Sequence, residues 1–292
     1  MTWTPGTGWH RTATLASWAD RHPGQRMGTR RRLDAELVRR GLARSREQAA
    51  SLVTDGRVLV AGQAAGKPAT QVAAEDPILV TETGADPGYA SRGGRKLAGA
   101  LAAFPGLAVA GRQCLDAGAS TGGFTDVLLQ AGAAHVIAAD VGYGQLAWAL
   151  RTDERVTVLD RVNVRQLQPA QVAPAPDLVT ADLSFISLTL VLPALVRCAS
   201  PEADFVLLVK PQFEVGKGRV GAGGVVRDPG LREQAVASVA AAAAGLGLGV
   251  AGLAASPLPG PAGNVEYFLW LHRGAPPLDP GRLRQVIAEG PQ

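Results

Sequence analysis

In LDAELVRRGL the apolar positions recur at helical spacing, with Leu33, Leu37 and Leu42 on the inward side and Gly41 as the stop. SREQAASLVTDG repeats the pattern. Ser45 is placed to cap the second helix, Gln48 follows three residues on, and Gly56 closes it, which makes a capping box. RVLVAGQ and DPILV then read as short strands around a turn. TETGADPG, residues 81–88, breaks the pattern with glycine, aspartate and proline and reads as an interdomain linker. Beyond it QCLDAGAS, HVIAADVG, RVTVLD, DLVTADLSF and FVLLVKPQ are runs of strand length. Between and after them, GFTDVLLQAG and the alanine-rich REQAVASVAAAAAGLG have the character of helices, and GNVEYFLWLHR reads as a last strand. This alternation predicts an α/β fold with a mostly parallel, doubly wound sheet behind a small N-terminal α+β unit.

Composition narrows the classes. With 292 residues, 47% of them hydrophobic, the chain can bury a large core or two modest ones. No apolar run reaches the ~20 residues of a membrane-spanning helix. Residues 1–26 carry Trp3, Trp9 and Trp18 but no continuous apolar segment, so they do not read as a signal peptide. They read as a disordered extension, with Met27 as the true start. Cys114 and Cys198 lie far apart in apolar surroundings and are expected to pack in a reduced, cytoplasmic interior. His10, His22, His135 and His272 form no ligand-like cluster, and no metal site is expected.

Charge adds a partner. Between Arg26 and Lys67 stand ten basic residues and four acidic ones, an excess larger than the net +4 of the whole chain. Such asymmetry fits an acidic partner such as nucleic acid, the alternative being a solvated basic face. The string RRLDAELVRRGLARSREQAASLVTDGRVLVAG resembles the α-L RNA-binding module first recognised in a small-subunit ribosomal protein. The candidate RNA contacts are Arg30, Arg31, Arg32, Arg39, Arg40, Arg44, Arg46 and Lys67.

LDAGASTGGF, residues 115–124, sets a carboxylate and several glycines between the first strand of the sheet and its helix, the turn that meets a cofactor in doubly wound folds. It is neither GxGxxG nor a Walker motif, so it does not serve a pyrophosphate. Asp140 ends the next strand, where a carboxylate can hold ribose hydroxyls through charge-assisted hydrogen bonds. A nucleoside without pyrophosphate points to S-adenosylmethionine.

Lysine is scarce: the chain has Lys67, Lys96, Lys210 and Lys217 and otherwise uses arginine. Lys210 ends an apolar strand, Asp182 ends another, Glu266 opens the last, and Lys96 precedes the sheet in SRGGRKL. For any one of these a structural ion pair is the plainer reading. Four alternating charges near one crevice suit methyl transfer to a ribose 2′-hydroxyl, which must be aligned with the methyl group and relieved of its proton. A lysine can take that proton when a neighbouring positive charge and partial desolvation favour its neutral form; an arginine cannot. Lys210 is read as the proton acceptor and Lys96 as the group that raises the local potential and orients substrate. Asp182 and Glu266 are read as fixing the two amines. Lys67 is an RNA-contacting or solvated charge, and Lys217 a loop charge in VGKGRVG.

RRLDAELVRRGLARSREQA, SRGGRKL, CLDAGASTGGFTDVLL, AADVGYGQLAW, DLVTADLSFISL, LLVKPQFEVGKG and GNVEYFLWL together resemble the TlyA (hemolysin A-like) family of bacterial rRNA 2′-O-methyltransferases, from about Met27 to the C-terminus. The RRR start and the C-terminal helix DPGRLRQVIAEG resemble the longer, actinobacterial kind. The resemblance implies a ribosomal-protein-like RNA-binding domain over 27–80, a linker over 81–90 and a Rossmann-like S-adenosylmethionine-dependent domain over 91–292. It implies methylation of a cytidine ribose in 16S and/or 23S rRNA, with rRNA or ribosomal subunits as partner and no membrane partner. The family's catalytic tetrad falls on Lys96, Asp182, Lys210 and Glu266. The candidate cofactor contacts are Asp116, Gly118, Ala119, Ser120, Thr121, Gly122, Gly123, Phe124, Asp140, Val141, Gly142, Asp160, Asn163 and Asp182. Two positions depart from the family pattern: the linker reads DPGYA where a tryptophan is expected, and Asp160 stands where glutamate is expected.

Three other functions compete. A membrane-active hemolysin needs an apolar or amphipathic membrane element and an export signal, and the sequence has neither. A non-catalytic RNA-binding or ribosome-assembly protein would tolerate Lys210→Ala. A base-nitrogen methyltransferase commonly carries Asn/Asp-Pro-Pro-aromatic after the fourth strand, where this chain reads DLSF.

Overall fold

The computed structural model describes residues 30–290 apart from 55, 62 and 81–87; the readings of residues 1–26 and of most of the linker lie outside the described residues. The N-terminal unit runs β1 (Arg31–Arg32), α1 (Leu33–Arg39), α2 (Arg46–Thr54), β2 (Val58–Val60), β3 (Gln63–Ala64), β4 (Gln71–Val72) and β5 (Ile78–Val80). β2 lies between β3 and β5, and β1 pairs with β4, all antiparallel. Leu33, Leu37, Ala49, Leu52, Val53 and Val58 form its core.

Two local expectations change. Leu42 is 37% exposed rather than inward. α1 has already ended, Gly41 turns the chain at φ +70°, and Ala43 enters the core instead, so helical spacing no longer applies at Leu42. Ser45 does cap α2, its Oγ accepting from the Gln48 amide at 3.1 Å. The Gln48 side chain returns to the Arg44 amide at 2.6 Å rather than to that of Ser45.

The larger unit runs α3 (Arg92–Ala103), β6 (Gln113–Ala117), α4 (Gly123–Gln130), β7 (His135–Asp140), α5 (Trp148–Arg151), β8 (Val156–Asp160), β9 (Leu178–Ala181), α6 (Leu188–Cys198), β10 (Asp204–Val209), α7 (Pro211–Glu214), α8 (Pro229–Ala244), β11 (Gly249–Ala255), β12 (Tyr267–His272) and α9 (Pro280–Glu289). Its sheet has the order β11-β12-β10-β9-β6-β7-β8. Every strand but β12 runs the same way as β6. β11 was not foreseen, because GVAGLAA is built from small residues with little strand character.

Two cores sandwich the sheet. Residues of α3, α4 and α5 pack on one face, and those of α6, α8 and α9 on the other. β10 is buried along its whole length, so its apolar residues run without alternation, as strands covered on both faces do. Each large side chain so buried contributes about 1.5–3 kcal/mol. That burial fixes β10 and delivers its next residue, Lys210, to the carboxyl edge of the sheet.

Candidate active site

The chain reverses its direction of travel across the sheet between β6 and β9, and ligands of open α/β sheets bind outside the carboxyl ends of strands at such a point. A cavity of about 350 Å³ lies there, lined among others by Gly118, Ser120, Asp140, Val141, Asn163 and Asp182. Its volume falls within the range of small-molecule sites, about 300–1,000 Å³. Gly118 has φ +88°, and a Cβ on it would lie 2.6 Å from the Asp182 carbonyl oxygen, so no other residue allows the two loops this approach.

Asp140 is already engaged. Its Oδ2 accepts from the Ser120 amide at 2.9 Å and its Oδ1 from the Gly142 amide at 2.7 Å. Each oxygen keeps a second lone pair, and the two bonds hold the carboxylate at the cavity wall. Val162, Val164, Leu183 and Ile186 supply an apolar wall. A carboxylate for hydroxyls, a glycine cradle and an apolar slot fit a nucleoside-bearing cofactor without pyrophosphate.

Several candidate contacts are not brought to this cavity. Asp116 is fully buried on β6, where the Thr125 hydroxyl donates to it at 2.7 Å, and burial pushes its carboxyl up to about 7. Gly122 and Gly123 turn into α4, Phe124 packs against Phe268 with ring centroids 6.1 Å apart, and Ala119 is buried. Thr121 faces a neighbouring hollow beside Trp148. Gly142 lends its amide to Asp140, and Asp160 pairs with Arg151 at 2.9 Å. The cause is common to most of them: the glycine-rich turn is short, so only its first residues border the cavity before α4 begins. Gln145, Arg165, Ser184 and Phe185 line the cavity without having been anticipated. The last two follow Asp182 in the DLSF string, and that proximity was the available signal.

The four tetrad candidates form two pairs. Lys96 on α3 donates to Glu266 Oε2 at 2.6 Å, with the residues 5% and 1% exposed. Lys210 Nζ lies 2.5 Å from Asp182 Oδ1 as a charge pair off hydrogen-bond alignment, and donates to Ser184 Oγ at 3.1 Å. Gln212, two residues past Lys210, reaches Glu266 Oε1 at 3.4 Å and links the pairs. A Cβ on Gly93 of α3 would lie 3.8 Å from Asp182 Oδ2, which brings the helix of Lys96 against the second pair. Register explains the meeting: Val209 faces Tyr267 and Leu207 faces Ala181, so Lys210, Glu266 and Asp182 leave neighbouring strands at one edge. Asp182 and Ser184 line the cavity; Lys210, 8% exposed, sits behind them.

The basic N-terminal face divides. Arg30, Arg31, Arg44 and Lys67 are exposed. Arg32 and Arg46 pair with Asp34, and Arg39 with Glu36, while keeping about half or more of their side chains in solvent. The Arg32 guanidinium holds the Asp34 carboxyl down to about 2, and Arg39, with Arg40, does the same for Glu36. Arg40 is a correction. It binds Glu36 and the carbonyls of Ala73, Ala74 and Asp76, so its donors staple α1 to the 73–76 turn rather than face a partner.

A doubly wound sheet with a small-molecule-sized cavity at its switch point and a small basic unit ahead of it fits a methyltransferase carrying an RNA-binding module. The chain belongs to the FtsJ-like methyltransferase family, whose model matches residues 89–273, and the S4 domain model matches residues 31–78. It is 60% identical over 271 residues, 91% of its length and the whole of the relative, to the 16S/23S rRNA (cytidine-2′-O)-methyltransferase TlyA of Mycobacterium tuberculosis. A Bacillus subtilis protein provisionally named as the rRNA methyltransferase YqxC is 44% identical over 242 residues, 82% of this chain and 85% of that one. A solved Streptococcus thermophilus protein with a provisional hemolysin name superposes with a TM-score of 0.72 at 39% identity, covering 90% of this chain and 96% of that one.

Proposed function

We infer that this chain is an S-adenosylmethionine-dependent methyltransferase acting on a cytidine ribose 2′-hydroxyl of 16S and/or 23S rRNA, in the cytoplasm. The observation that carries the reading is the pair of lysine–carboxylate contacts, Lys96–Glu266 and Lys210–Asp182, of which Asp182 lines the cavity of about 350 Å³. The names of the relatives agree with it.

Gly118, Ser120, Asp140 and Asn163 would hold the cofactor's nucleoside, with Val162, Val164, Leu183 and Ile186 against its apolar surface. When bound, the cofactor supplies an electrophilic methyl group on a sulfonium. Asp182 and Lys210 orient the sugar hydroxyl and exclude bulk water from it; Lys210, once its ammonium has released a proton to solvent, takes the hydroxyl proton on the free lone pair of Nζ. Lys96, neutralised by Glu266, braces the far side of the site and holds Gln212 through that carboxylate. The exposed arginines of the N-terminal unit contact rRNA phosphates.

The test is transfer of labelled methyl to ribosomal subunits by wild type and Lys210→Arg, with the product mapped for ribose methylation. Arginine keeps the charge but does not deprotonate. The variant is expected to bind cofactor and rRNA yet lose about 10²–10⁴-fold in turnover, the contribution of general base catalysis. Methylation of a base instead of a ribose, or full turnover by Lys210→Arg, would overturn the reading. Among the described residues no helix is long and apolar enough to cross a membrane.

A further inference from the structure

Three contacts lace the loop after β9 to the loop after β10. Lys210 meets Asp182 and Ser184. The Phe185 and Phe213 rings lie 5.2 Å apart. Glu214 accepts from the Ser187 hydroxyl at 2.5 Å and from the Leu188 amide at 2.8 Å. Between these ties Phe185 stands at φ +64°, in the left-handed region, and is 91% exposed. Ser184, its chain neighbour, lines the cavity as an exposed residue and accepts from the Lys210 amine at 3.1 Å.

A lysine amine has three directions in which it can meet a partner. The attraction of Asp182 is a charge contact out of hydrogen-bond alignment, so it draws the amine near without aiming it. The bond to Ser184 is aligned and directional. We propose that Ser184 is a positioning residue for the methyl transfer, and that its hydroxyl, by fixing one N–H of the Lys210 amine, sets its rotation so that the lone pair of the neutral amine points at the sugar hydroxyl. This rests on the function proposed above and adds a residue to it. Without the hydroxyl the amine stays close to Asp182 but turns freely.

The experiment pairs kinetics with a signal that needs no turnover. The chain has four lysines, so ¹⁵N-lysine labelling gives few ammonium resonances, and Lys210→Arg identifies the one from Lys210. Ser184→Ala is expected to speed hydrogen exchange of that ammonium about 10-fold, the worth of one hydrogen bond. It is expected to lower kcat about 10- to 100-fold with KM for rRNA unchanged, as misaimed reacting groups do. Ser184→Thr, which keeps a hydroxyl, is expected to restore both. A Ser184→Ala protein with wild-type kcat, or with raised KM alone, overturns the proposal, as does an unchanged ammonium exchange rate. A wild-type protein that methylates no ribose sinks the function reading, while the exchange measurement still judges the Ser184 bond.

Discussion

Lys96 and Glu266 stand 170 positions apart in the chain and 2.6 Å apart in space, both shielded from water. A buried pair is costly to break from one side, because the abandoned charge has neither partner nor solvent; the loss is about 3–5 kcal/mol. Glu266→Gln should show that loss in urea unfolding, together with loss of methyl transfer. Adding Lys96→Met removes the orphaned charge and should return most of the stability with none of the activity. A double variant as unstable as the single one would refute the electrostatic account.

α3 and α4 cross at Gly94 and Gly123. A Cβ on Gly123 would lie 2.7 Å from the Gly94 amide nitrogen, and backbone cannot rotate aside as a side-chain tip can. Gly123→Ala should therefore destabilise by about 1–3 kcal/mol, the usual cost of overpacking, and lower activity by displacing the helix that carries Lys96. Thermal unfolding and the methylation assay read the two effects. Wild-type values in both would mean that the helices separate without consequence.

Asp140 holds two loop amides and still presents lone pairs to the cavity. Asp140→Ala should weaken cofactor binding about 10- to 100-fold, the loss of charge-assisted hydrogen bonds, and leave rRNA binding unchanged. Calorimetry with S-adenosylmethionine decides; an unaltered Kd removes Asp140 from the ribose.

Burial raises the Asp116 carboxyl to about 7, against about 4 in an unfolded chain. Between those values the folded protein keeps a proton that the unfolded chain has released. Stability from this group is thus present below about pH 4, declines as pH rises and levels off above about 7. Asp116→Asn cannot ionise and should lack this decline. The difference between wild-type and variant urea midpoints from pH 5 to 8 measures it; parallel curves would show that Asp116 does not titrate there.

The arginines of the N-terminal unit should separate into two kinds. Arg31→Ala and Arg44→Ala, at exposed positions, should each flatten the salt dependence of rRNA binding by roughly one slope unit for every phosphate left unneutralised. Arg40→Ala should leave that slope alone and destabilise the unit, since Glu36 and three turn carbonyls lose their donor. Filter binding across a salt series, with thermal unfolding beside it, distinguishes them.

What the sequence disclosed, and what it withheld, follows from where information sits. Asp182, Lys210 and Glu266 were legible because each abuts an apolar run, and apolar runs mark strands whether or not the partner strand is known. β11 was hidden because Gly249–Ala255 is short of branched and aromatic side chains; it is a strand by virtue of its pairing with β12. α3 was hidden likewise, its Gly93, Gly94 and Gly99 reading against a helix that survives by packing on α4 and Pro257. The burial of Asp116 and the stapling role of Arg40 depend on residues far along the chain, and local pattern carries none of that. Resemblance named the tetrad, but it took the fold to show that it consists of two ion pairs, one behind the cavity wall.

The reversed strand β12 has a temporal meaning. Because it runs against its neighbours, its beginning, not its end, reaches the working edge, and Glu266 is the last of the four charges to be synthesised. Without it the ammonium on α3 has no counter-charge, and a chain cut short before Glu266 also lacks β12, the antiparallel neighbour of β10.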